Sequence, residues 1–546
     1  MEGDAATPKV SPHAEVLQPV FAAIRSGDLG TAKSLARAAL ARGLEHHVLL
    51  NLRAMEFEDA GMFSQALNDL RRAHVLAPTD FTILNATGLC LARMDRFDEA
   101  LRCYDQALSL EPGFGQASFN RGWVLERLGE TAEAAKSYTR AVELHPQNAQ
   151  AWANLAVLDG RRGDRDSMRT HAEQALAQQP GHPTAVMALA DSDHFDPAQA
   201  AGRLRELLQA RLTPFDRAHA LGQLGDALDR LDRPAEAFAT WSESNALYRR
   251  EIGPRFEGPG KPTVPDTFAW LIPWARALPT APWPARSFAG EAGEREHVFL
   301  LGFPRSGTTL IESALAAHPD VASLEERETL EAAAVAFMSK PEDLARLPTA
   351  TDRELRRLRE DYWARVRSFG VEPNGKIFVD KHPFNTLKLP IINRLFPDAK
   401  IVFSLRDPRD VVLSCFRKRF GFNPTTYEFL DLGRTAFNYD SVMKLAEILR
   451  PKLKFNEIQL AYERLVVDFE AETRSVCAFI GADWREDLID FAGRARRGEV
   501  ASASGAQISR GLYSSGAGQW RRYRQELSPV LPTLAPWVHR FGYPAN

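Results

Sequence analysis

Residues 298–309 read VFLLGFPRSGTT and are followed by LIESALAAHP. The four apolar residues at the start predict a short strand buried on both faces, and the periodic segment after Thr309 predicts a helix. A strand, a glycine-containing turn and a helix start direct several backbone N–H groups and the positive end of the helix dipole at one anion. This stretch therefore predicts an α/β domain with an anion-binding loop.

The spacing of Gly302 and Gly307 matches the G-x-x-x-x-G of a P-loop. A nucleotide triphosphatase needs Lys at the next position, where this chain has Thr308, so a P-loop kinase is disfavoured. The loop instead carries Arg305, whose guanidinium can form paired hydrogen bonds with one terminal anionic group. The plain alternative is an ordinary strand–turn–helix with an incidental arginine.

Two further strands are predicted downstream, at residues 376–379 (KIFV) and 400–405 (KIVFSL), each followed by a helical stretch. Strands alternating with helices indicate an α/β domain with a mainly parallel sheet. The loops after the three strands carry Arg305, Lys381 and Arg406. Since ligands of parallel sheets bind beyond the carboxyl ends of the strands, these cations predict a P-loop-like nucleotide site.

The bulk composition is that of an ordinary globular protein. The chain has 546 residues, a formal net charge of −3 and 25% charged residues, which gives no indication of nucleic-acid binding. Residues 1–12 lack the apolar segment of a secretory signal, and no apolar run is long enough for a membrane span. We therefore expect a cytoplasmic protein with reduced thiols at all its cysteines: Cys90, Cys103, Cys415 and Cys477.

A 34-residue period runs through residues 47–182, with weaker units from His13 onward and up to residue 250. Small residues at fixed places let two helices cross closely, and a proline ends the second helix of each unit. The period resembles the tetratricopeptide repeat, which predicts an α-solenoid that docks a protein or peptide, or that holds a homodimer. The recurring alanines and prolines are Ala73, Ala107, Ala141 and Ala175, and Pro78, Pro112, Pro146 and Pro180.

Residues 251–294 contain many prolines and no lasting helical period. They predict a linker, or a strap packed on one domain by Trp270, Trp274 and Trp283. The predicted division is thus a solenoid at 13–250, the linker, and a nucleotide-binding domain at 295–546.

The motifs PRSGTTL, DKHPF and RDPRDVVLS resemble the sulfotransferases that use 3′-phosphoadenosine 5′-phosphosulfate (PAPS). The order of HPDV, EE, KxPF and LFPxxK is similar to that of the tyrosylprotein branch, over about residues 296–525. The resemblance implies a 5′-phosphosulfate site, a 3′-phosphate site and an adenine contact. The residues implied for the 5′-phosphosulfate are Arg305, Ser306, Gly307, Thr308 and Thr309. Those implied for the 3′-phosphate are Arg406 and Ser414, and Tyr462 is implied for the adenine.

Sulfuryl transfer needs stabilisation of charge on the sulfate and a base for the acceptor proton, but no metal. We expect Arg305 and Lys381 to stabilise the charge. The resemblance makes Glu326 the base. Its neighbour Glu325 could exchange roles with it, and a surface pair of acids is the plain alternative. His382 is a further candidate, because small-molecule sulfotransferases use a histidine.

The late segment 502–523 is rich in serine and glycine and resembles the family loop that closes over the nucleotide. Ser514 and Ser515 are therefore predicted to contact the 3′-phosphate, while Arg521 and Arg522 are equally typical of solvated charges. Glu328 departs from the tyrosylprotein branch, which has an arginine there that grips acidic substrates.

The sequence thus predicts sulfuryl transfer from PAPS to an acceptor hydroxyl, with a protein tyrosine as the leading candidate. A saccharide, lipid or small-molecule hydroxyl is the alternative acceptor. An alternative of another class is a non-catalytic repeat scaffold with a nucleotide-binding domain.

Overall fold

The computed structural model describes residues 12–191, 195–283, 291–489 and 516–545. The chain divides into two compact units. The first comprises Met1–Gly160 and Arg165–Leu189, and the second comprises Arg161–Asp164 and Ala190–Asn546. The predicted boundaries at residues 250 and 294 stay a prediction.

In its described residues, the repeat region consists of helices joined by short turns, and the helix pairs α3 with α4, α5 with α6 and α7 with α8 pack extensively. The recurring alanines at the crossings are fully buried. Each of the helices α4, α6, α8 and α10 ends two residues before the recurring proline, as predicted. The helices are α1 (Pro12–Arg25), α2 (Leu29–Ala41), α3 (His47–Asp59), α4 (Phe63–Leu76), α5 (Phe81–Arg93), α6 (Phe97–Leu110), α7 (Gly115–Leu128), α8 (Thr131–Leu144), α9 (Ala149–Arg162), α10 (Arg165–Gln178) and α11 (Pro183–Ala190). The α-solenoid predicted from the period is confirmed.

The second unit begins with more helices before its sheet starts. These are α12 (Pro197–Leu207), α13 (Pro214–Arg230), α14 (Pro234–Phe256) and α15 (Val264–Ala277). Helices α13 and α14 form a hairpin, and threonine side chains cap the starts of α13 and α15.

Helix α15 lies inside the stretch 251–294, where the sequence shows no lasting helical period, and α14 also extends into it as far as Phe256. Thr263 and Asp266 form a capping box, and Pro265 occupies the first turn, where a missing N–H is no loss. Pro265 therefore fits the start of this helix, while Pro273 lies inside it. Trp283 donates from Nε1 to Asn393 Oδ1 at 2.7 Å, which ties Trp283 itself to the sheet domain.

A five-stranded parallel sheet forms the centre of the second unit, in the order β2-β3-β1-β4-β5. The strands are β1 (Glu296–Gly302), β2 (Val321–Glu325), β3 (Ile377–Lys381), β4 (Lys400–Leu405) and β5 (Asn456–Ala461). The mainly parallel α/β domain is confirmed. Strand β2 was not predicted, because Ser323 and Glu325 in its sequence VASLE interrupt the apolar run expected of a buried strand.

The remaining helices surround this sheet. They are α16 (Thr308–Leu315), α17 (Glu331–Met338), α18 (Pro341–Ala345), α19 (Asp352–Ser368), α20 (Leu389–Leu395), α21 (Pro408–Arg417), α22 (Pro424–Glu428), α23 (Leu432–Leu453), α24 (Tyr462–Val467), α25 (Phe469–Ile480) and α26 (Leu531–Arg540). Short 3₁₀ helices lie at Leu347–Thr349, Pro383–Lys388, Glu486–Ile489 and Gln519–Tyr523. In the described part of the chain, no helix has the length and apolar character needed to cross a bilayer.

Both faces of the central strand β1 are buried, which explains its continuous apolar sequence. Val298 and Leu300 pack in one core cluster with residues of α16 and α25. On the other face, Phe299 lies against the aromatic rings of Tyr362 and Phe396. The sheet is therefore a rigid support for the loops at its carboxyl edge.

Candidate active site

The loop between β1 and α16 is held in a narrow space between β4 and Tyr462. Gly302 has φ 146°, and a Cβ there would lie 2.5 Å from the carbonyl oxygen of Ser404. Gly307, at the start of α16, has φ 94°, and a Cβ would lie 2.7 Å from the ring of Tyr462. Arg305 has φ 71° although it is not glycine. The glycines are thus required by backbone conformation and by close packing.

Arg305 and Arg406, from the loops after β1 and β4, meet in one place. Arg406 Nη1 donates to the carbonyl oxygen of Arg305 at 2.8 Å, and its Nη2 donates to that of Gly516 at 2.5 Å. Arg305 Nε donates to Ser414 Oγ at 3.0 Å. The guanidinium carbon of Arg406 lies 4.5 Å from the ring centroid of Tyr462. The structure therefore brings these predicted residues together, with Ser414 bonded to Arg305.

Arg406 retains an unused donor that fits a bound anion. Only 7% of the residue is exposed, and among the described residues its buried Nε has no hydrogen-bond partner. An unsatisfied buried donor costs about 1–3 kcal/mol, and an anionic ligand would remove that cost. The first N–H groups of α16 also lack partners within the helix, as at any helix start. These groups suit the phosphates of the nucleotide that the motifs imply.

Lys381 lies at the end of β3, is fully buried, and is surrounded by acceptors. Its Nζ donates to Glu326 Oε1 at 2.9 Å, to Glu325 Oε1 at 3.0 Å and to Thr309 Oγ1 at 3.4 Å. Burial acts against a charged amine, but the surrounding carboxylates, led by Glu326, raise the pKa of Lys381 above its ordinary value. Lys381 is therefore a buried cation in an acidic setting.

The two acids at the end of β2 differ in where they lie. Glu325 is the last residue of the strand, and its side chain is 19% exposed. Glu326, the next residue, leaves the strand with φ 46°, and its backbone N–H donates to the carbonyl oxygen of Lys381 at 2.7 Å. Its side chain is 50% exposed. Only Glu326 of the pair lines the cleft at this edge of the sheet.

A third carboxylate, Glu312 on α16, was missed in the sequence. Ser323 Oγ donates to Glu312 Oε1 at 2.5 Å, and the residue is 6% exposed. Burial raises the pKa of the Glu312 carboxyl, against the opposing charge of Lys381. The available signal was an acidic residue on the otherwise apolar inner face of a predicted helix.

His382 and Lys388 both contact Glu328 in the wall of the cleft. His382 Nε2 lies 3.1 Å from Glu328 Oε1, and Lys388 Nζ lies 2.6 Å from Glu328 Oε2. The hydrogen bond with His382 lowers the pKa of Glu328 to about 2, helped by the charge of Lys388 and opposed by partial burial. Among the described residues, His382 Nδ1 has no hydrogen-bond partner. The negative charge of Glu328 is thus matched locally.

The cleft itself has a volume of about 930 Å³. Ser306 and Lys381 lie behind its surface, and Ser514 and Ser515 fall outside the described residues. Phe384 and Phe420, both packed against Phe429, add apolar wall. The predicted residues that line it are Arg305, Gly307, Thr308, Thr309, Glu326, His382, Arg406, Ser414 and Tyr462.

Tyr462 and Arg522 also have defined places in the structure. Tyr462 begins α24, directly after β5 ends at Ala461. Arg522 is not merely solvated, because it is bonded to Asp229 and Asp232. Over residues 12–191, 195–283, 291–489 and 516–545, no group of His, Cys, Asp or Glu is arranged to hold a metal ion.

Comparisons with known proteins agree with the fold and the motifs. Residues 297–486 match the model of the Sulfotransferase family, and residues 85–149 and 125–158 match a model of the tetratricopeptide repeat. The C-terminal region of the chain is therefore a sulfotransferase-family domain, and tetratricopeptide repeats precede it.

The similar proteins include protein-tyrosine sulfotransferases. The chain is 26% identical to protein-tyrosine sulfotransferase 1 of Danio rerio over 45% of this chain and 72% of that protein. It is also 26% identical to protein-tyrosine sulfotransferase 2 of Gallus gallus, over 45% of this chain and 69% of that protein. An uncharacterized protein of Aquifex aeolicus (strain VF5) is 28% identical over 43% of this chain, and the match spans 32% of that protein's length.

Proposed function

We propose that the C-terminal domain transfers the sulfuryl group of PAPS to an acceptor hydroxyl, with a protein tyrosine as the leading candidate acceptor. The observation that carries this proposal is that Arg305 and Arg406 come from different strand ends and line one cleft. A third strand end contributes Glu326 to the same cleft. Cations for the two ends of a nucleotide and a carboxylate for a proton are what the reaction requires.

In this proposal, the loop after β1 binds the 5′-phosphosulfate of the donor. Arg305, Ser306, Gly307, Thr308 and Thr309 belong to the loop and the first turn of α16, whose N–H groups and dipole attract an anion. The guanidinium of Arg305 contributes the fixed charge.

The 3′-phosphate is assigned to Arg406 and Ser414. Arg406 has a buried Nε–H group without a hydrogen-bond partner among the described residues. Ser414 is hydrogen-bonded to Arg305, so binding of PAPS would rearrange the Arg305–Ser414 contact. Tyr462, stacked on the Arg406 guanidinium, is assigned to the adenine side. Ser514 and Ser515 remain predicted contacts of the same phosphate.

In the transfer step, an S–O bond to the acceptor oxygen forms as the S–O bond to the phosphate leaving group breaks. The acceptor proton passes to the carboxylate of Glu326, and the electron pair of the broken bond leaves with adenosine 3′,5′-bisphosphate. Arg305 and Lys381 stabilise the charge that develops on the sulfate and on the bridging oxygen. No resident cofactor is needed for this balance.

Three side chains compete for the role of base, and the geometry favours Glu326. Its carboxylate is half exposed and lines the cleft. Glu325 is paired with Lys381 and does not line the cleft. His382 lines the cleft, but its Nε2 is held by Glu328.

A tyrosine acceptor is supported by the likeness to protein-tyrosine sulfotransferases and by the apolar wall of Phe384 and Phe420, which suits an aromatic ring. The repeats would then dock the polypeptide that carries the tyrosine, or join two copies of the chain. Glu328 argues against a strongly acidic peptide. A saccharide, lipid or small-molecule hydroxyl is the second candidate acceptor.

The test is transfer of labelled sulfate from PAPS to a panel of acceptors by the full chain. The panel contains neutral and acidic tyrosine peptides, matched phenylalanine peptides, saccharides, lipids and simple phenols. Label on tyrosine peptides and not on their phenylalanine counterparts would support protein tyrosine as the acceptor. Binding of adenosine 3′,5′-bisphosphate without transfer to any acceptor would overturn the proposal and favour a non-catalytic scaffold.

A further inference from the structure

The hairpin of α13 and α14 belongs to the same compact unit as the sulfotransferase-family domain. Its contacts concentrate on the end of α21 and the residues after it. Asn245 Nδ2 donates to the carbonyl oxygen of Phe416 at 2.8 Å, and the ring of Phe238 stacks on Phe416 at 5.1 Å. Asp226 Oδ2 accepts from Arg419 at 2.9 Å. The hairpin therefore supports α21, the helix that carries Ser414.

Asp229, near the end of α13, also lines the cleft, as does its neighbour Arg230. Its Oδ1 accepts from Tyr523 OH at 2.5 Å and from Arg522 Nη1 at 2.6 Å, and its Oδ2 accepts from Arg417 Nη1 at 3.2 Å. The side chain of Asp229 is 18% exposed. A single carboxylate thus holds donors from two separate parts of the domain.

Each of these two parts of the domain is connected to a residue assigned to the 3′-phosphate. Arg417 is the last residue of α21, one turn beyond Ser414. Tyr523 ends the 3₁₀ helix Gln519–Tyr523, and Gly516, just before that helix, accepts from Arg406 Nη2 at 2.5 Å. Asp229 is therefore connected to both assigned ligands of the 3′-phosphate.

The segment from Gly516 to Tyr523 is anchored at both ends. Asp410, on α21, accepts from the backbone N–H of Gly518 at 2.6 Å and from that of Trp520 at 2.8 Å. Asp229 holds the far end through Tyr523. Burial and Asp229 raise the pKa of Tyr523, which keeps the phenol protonated and able to donate. The contact is thus maintained across the physiological pH range.

We propose that Asp229 is a positioning residue for the 3′-phosphate site, by which the hairpin of α13 and α14 sets the geometry of Arg406 and Ser414. This inference rests on the proposed function, because it presumes a nucleotide in the cleft. Asp229 does not touch the reacting atoms. It fixes the end of α21 and the segment after Gly516, and so reduces the rearrangement needed when the 3′-phosphate binds.

The test compares Asp229→Asn with Asp232→Asn in the full chain. Asp232 also accepts from Arg522, but its side chain is 86% exposed and does not line the cleft, and Arg417 and Tyr523 donate to Asp229 instead. We expect Asp229→Asn to weaken binding of adenosine 3′,5′-bisphosphate about tenfold, within the range for residues coupled to a site, and Asp232→Asn to change it by less than about twofold. Isothermal calorimetry measures the affinity without any acceptor.

Further measurements distinguish positioning from general loss of structure. At saturating PAPS, kcat of Asp229→Asn should fall much less than kcat/KM for PAPS, and Asp229→Glu should recover part of the lost affinity. If Asp229→Asn does not fold, Tyr523→Phe removes one hydrogen bond and should weaken binding about threefold. Unchanged affinity in the folded variant would overturn the inference, whereas a wild-type chain that does not bind the bisphosphate would overturn the proposed function.

Discussion

The carboxyl edge of the sheet has two halves that carry opposite charge. At the ends of β1 and β4, Arg305 and Arg406 meet around Ser414. At the ends of β2 and β3, two glutamates surround the single cation Lys381. Both halves use the same backbone geometry, in which parallel strands present their ends along one edge. In the proposed function, the first half holds an anion and the second half accepts a proton.

The two halves also differ in how many of their buried N–H donors already have a hydrogen-bond acceptor. An ammonium group has three N–H donors, and Lys381 has three acceptors, although the contact with Thr309 at 3.4 Å is long. Arg406, by contrast, keeps a buried Nε without a partner in the described part of the chain. The arginine half can receive an anion directly. Lys381 can reach the sulfate only by giving up one of its present contacts.

The largest expected effect comes from removing the cation of the first half. Arg305→Ala should abolish detectable transfer, a loss of at least about 10²-fold, because the fixed charge beside the sulfate is lost. The loss is measured as transfer of labelled sulfate from PAPS to the acceptor. Arg295→Ala is the matched control, since Arg295 precedes β1 at its other end and pairs with Asp320 at the surface. Retained activity in a folded Arg305→Ala variant would remove the loop from the chemistry.

Glu326→Gln tests the second half. The amide cannot take a proton, so turnover should fall by about 10²–10⁴-fold, while the affinity for adenosine 3′,5′-bisphosphate changes little. Single-turnover kinetics and calorimetry separate the two effects. Glu325→Gln is the matched control, because it also removes a carboxylate from Lys381 but not from the cleft. If Glu325→Gln or His382→Ala produces the large loss instead, the base is misassigned.

The smallest expected effect concerns the stability contributed by Glu328. Its pKa is about 2 in the folded chain against 4.5 for an unperturbed carboxyl, so the contribution is present above about pH 4.5 and is lost as the pH falls toward 2. The side chain is 51% exposed, which limits the contribution to about 1 kcal/mol or less. Denaturant unfolding at pH 6 and pH 3.5 should show Glu328→Gln less stable than wild type at pH 6, with a smaller difference at pH 3.5. A difference that is independent of pH would contradict this assignment.

Much of the fold could be read from local patterns. The 34-residue period predicted the solenoid, and the apolar runs before Arg305, Lys381 and Arg406 predicted three strands with charged ends. Strand β2 was not predicted because polar residues interrupt its apolar sequence, and α15 was not predicted because prolines were interpreted as helix breakers. In both cases the residue type was judged without its position in the structure. Polar residues are acceptable in β2 because it is an edge strand, and Pro265 is acceptable in α15 because it lies in the first helical turn.

The sequence by itself determined which groups stand at the strand ends, because strand, turn and helix formation depend mainly on neighbours close in the chain. Only the tertiary structure decided how those groups pair. It joined Ser414 to Arg305, surrounded Lys381 with carboxylates, and brought Arg522 to Asp229 across 293 residues of chain. Such pairings depend on how whole elements pack and on the need to satisfy buried charge, and no local pattern records either.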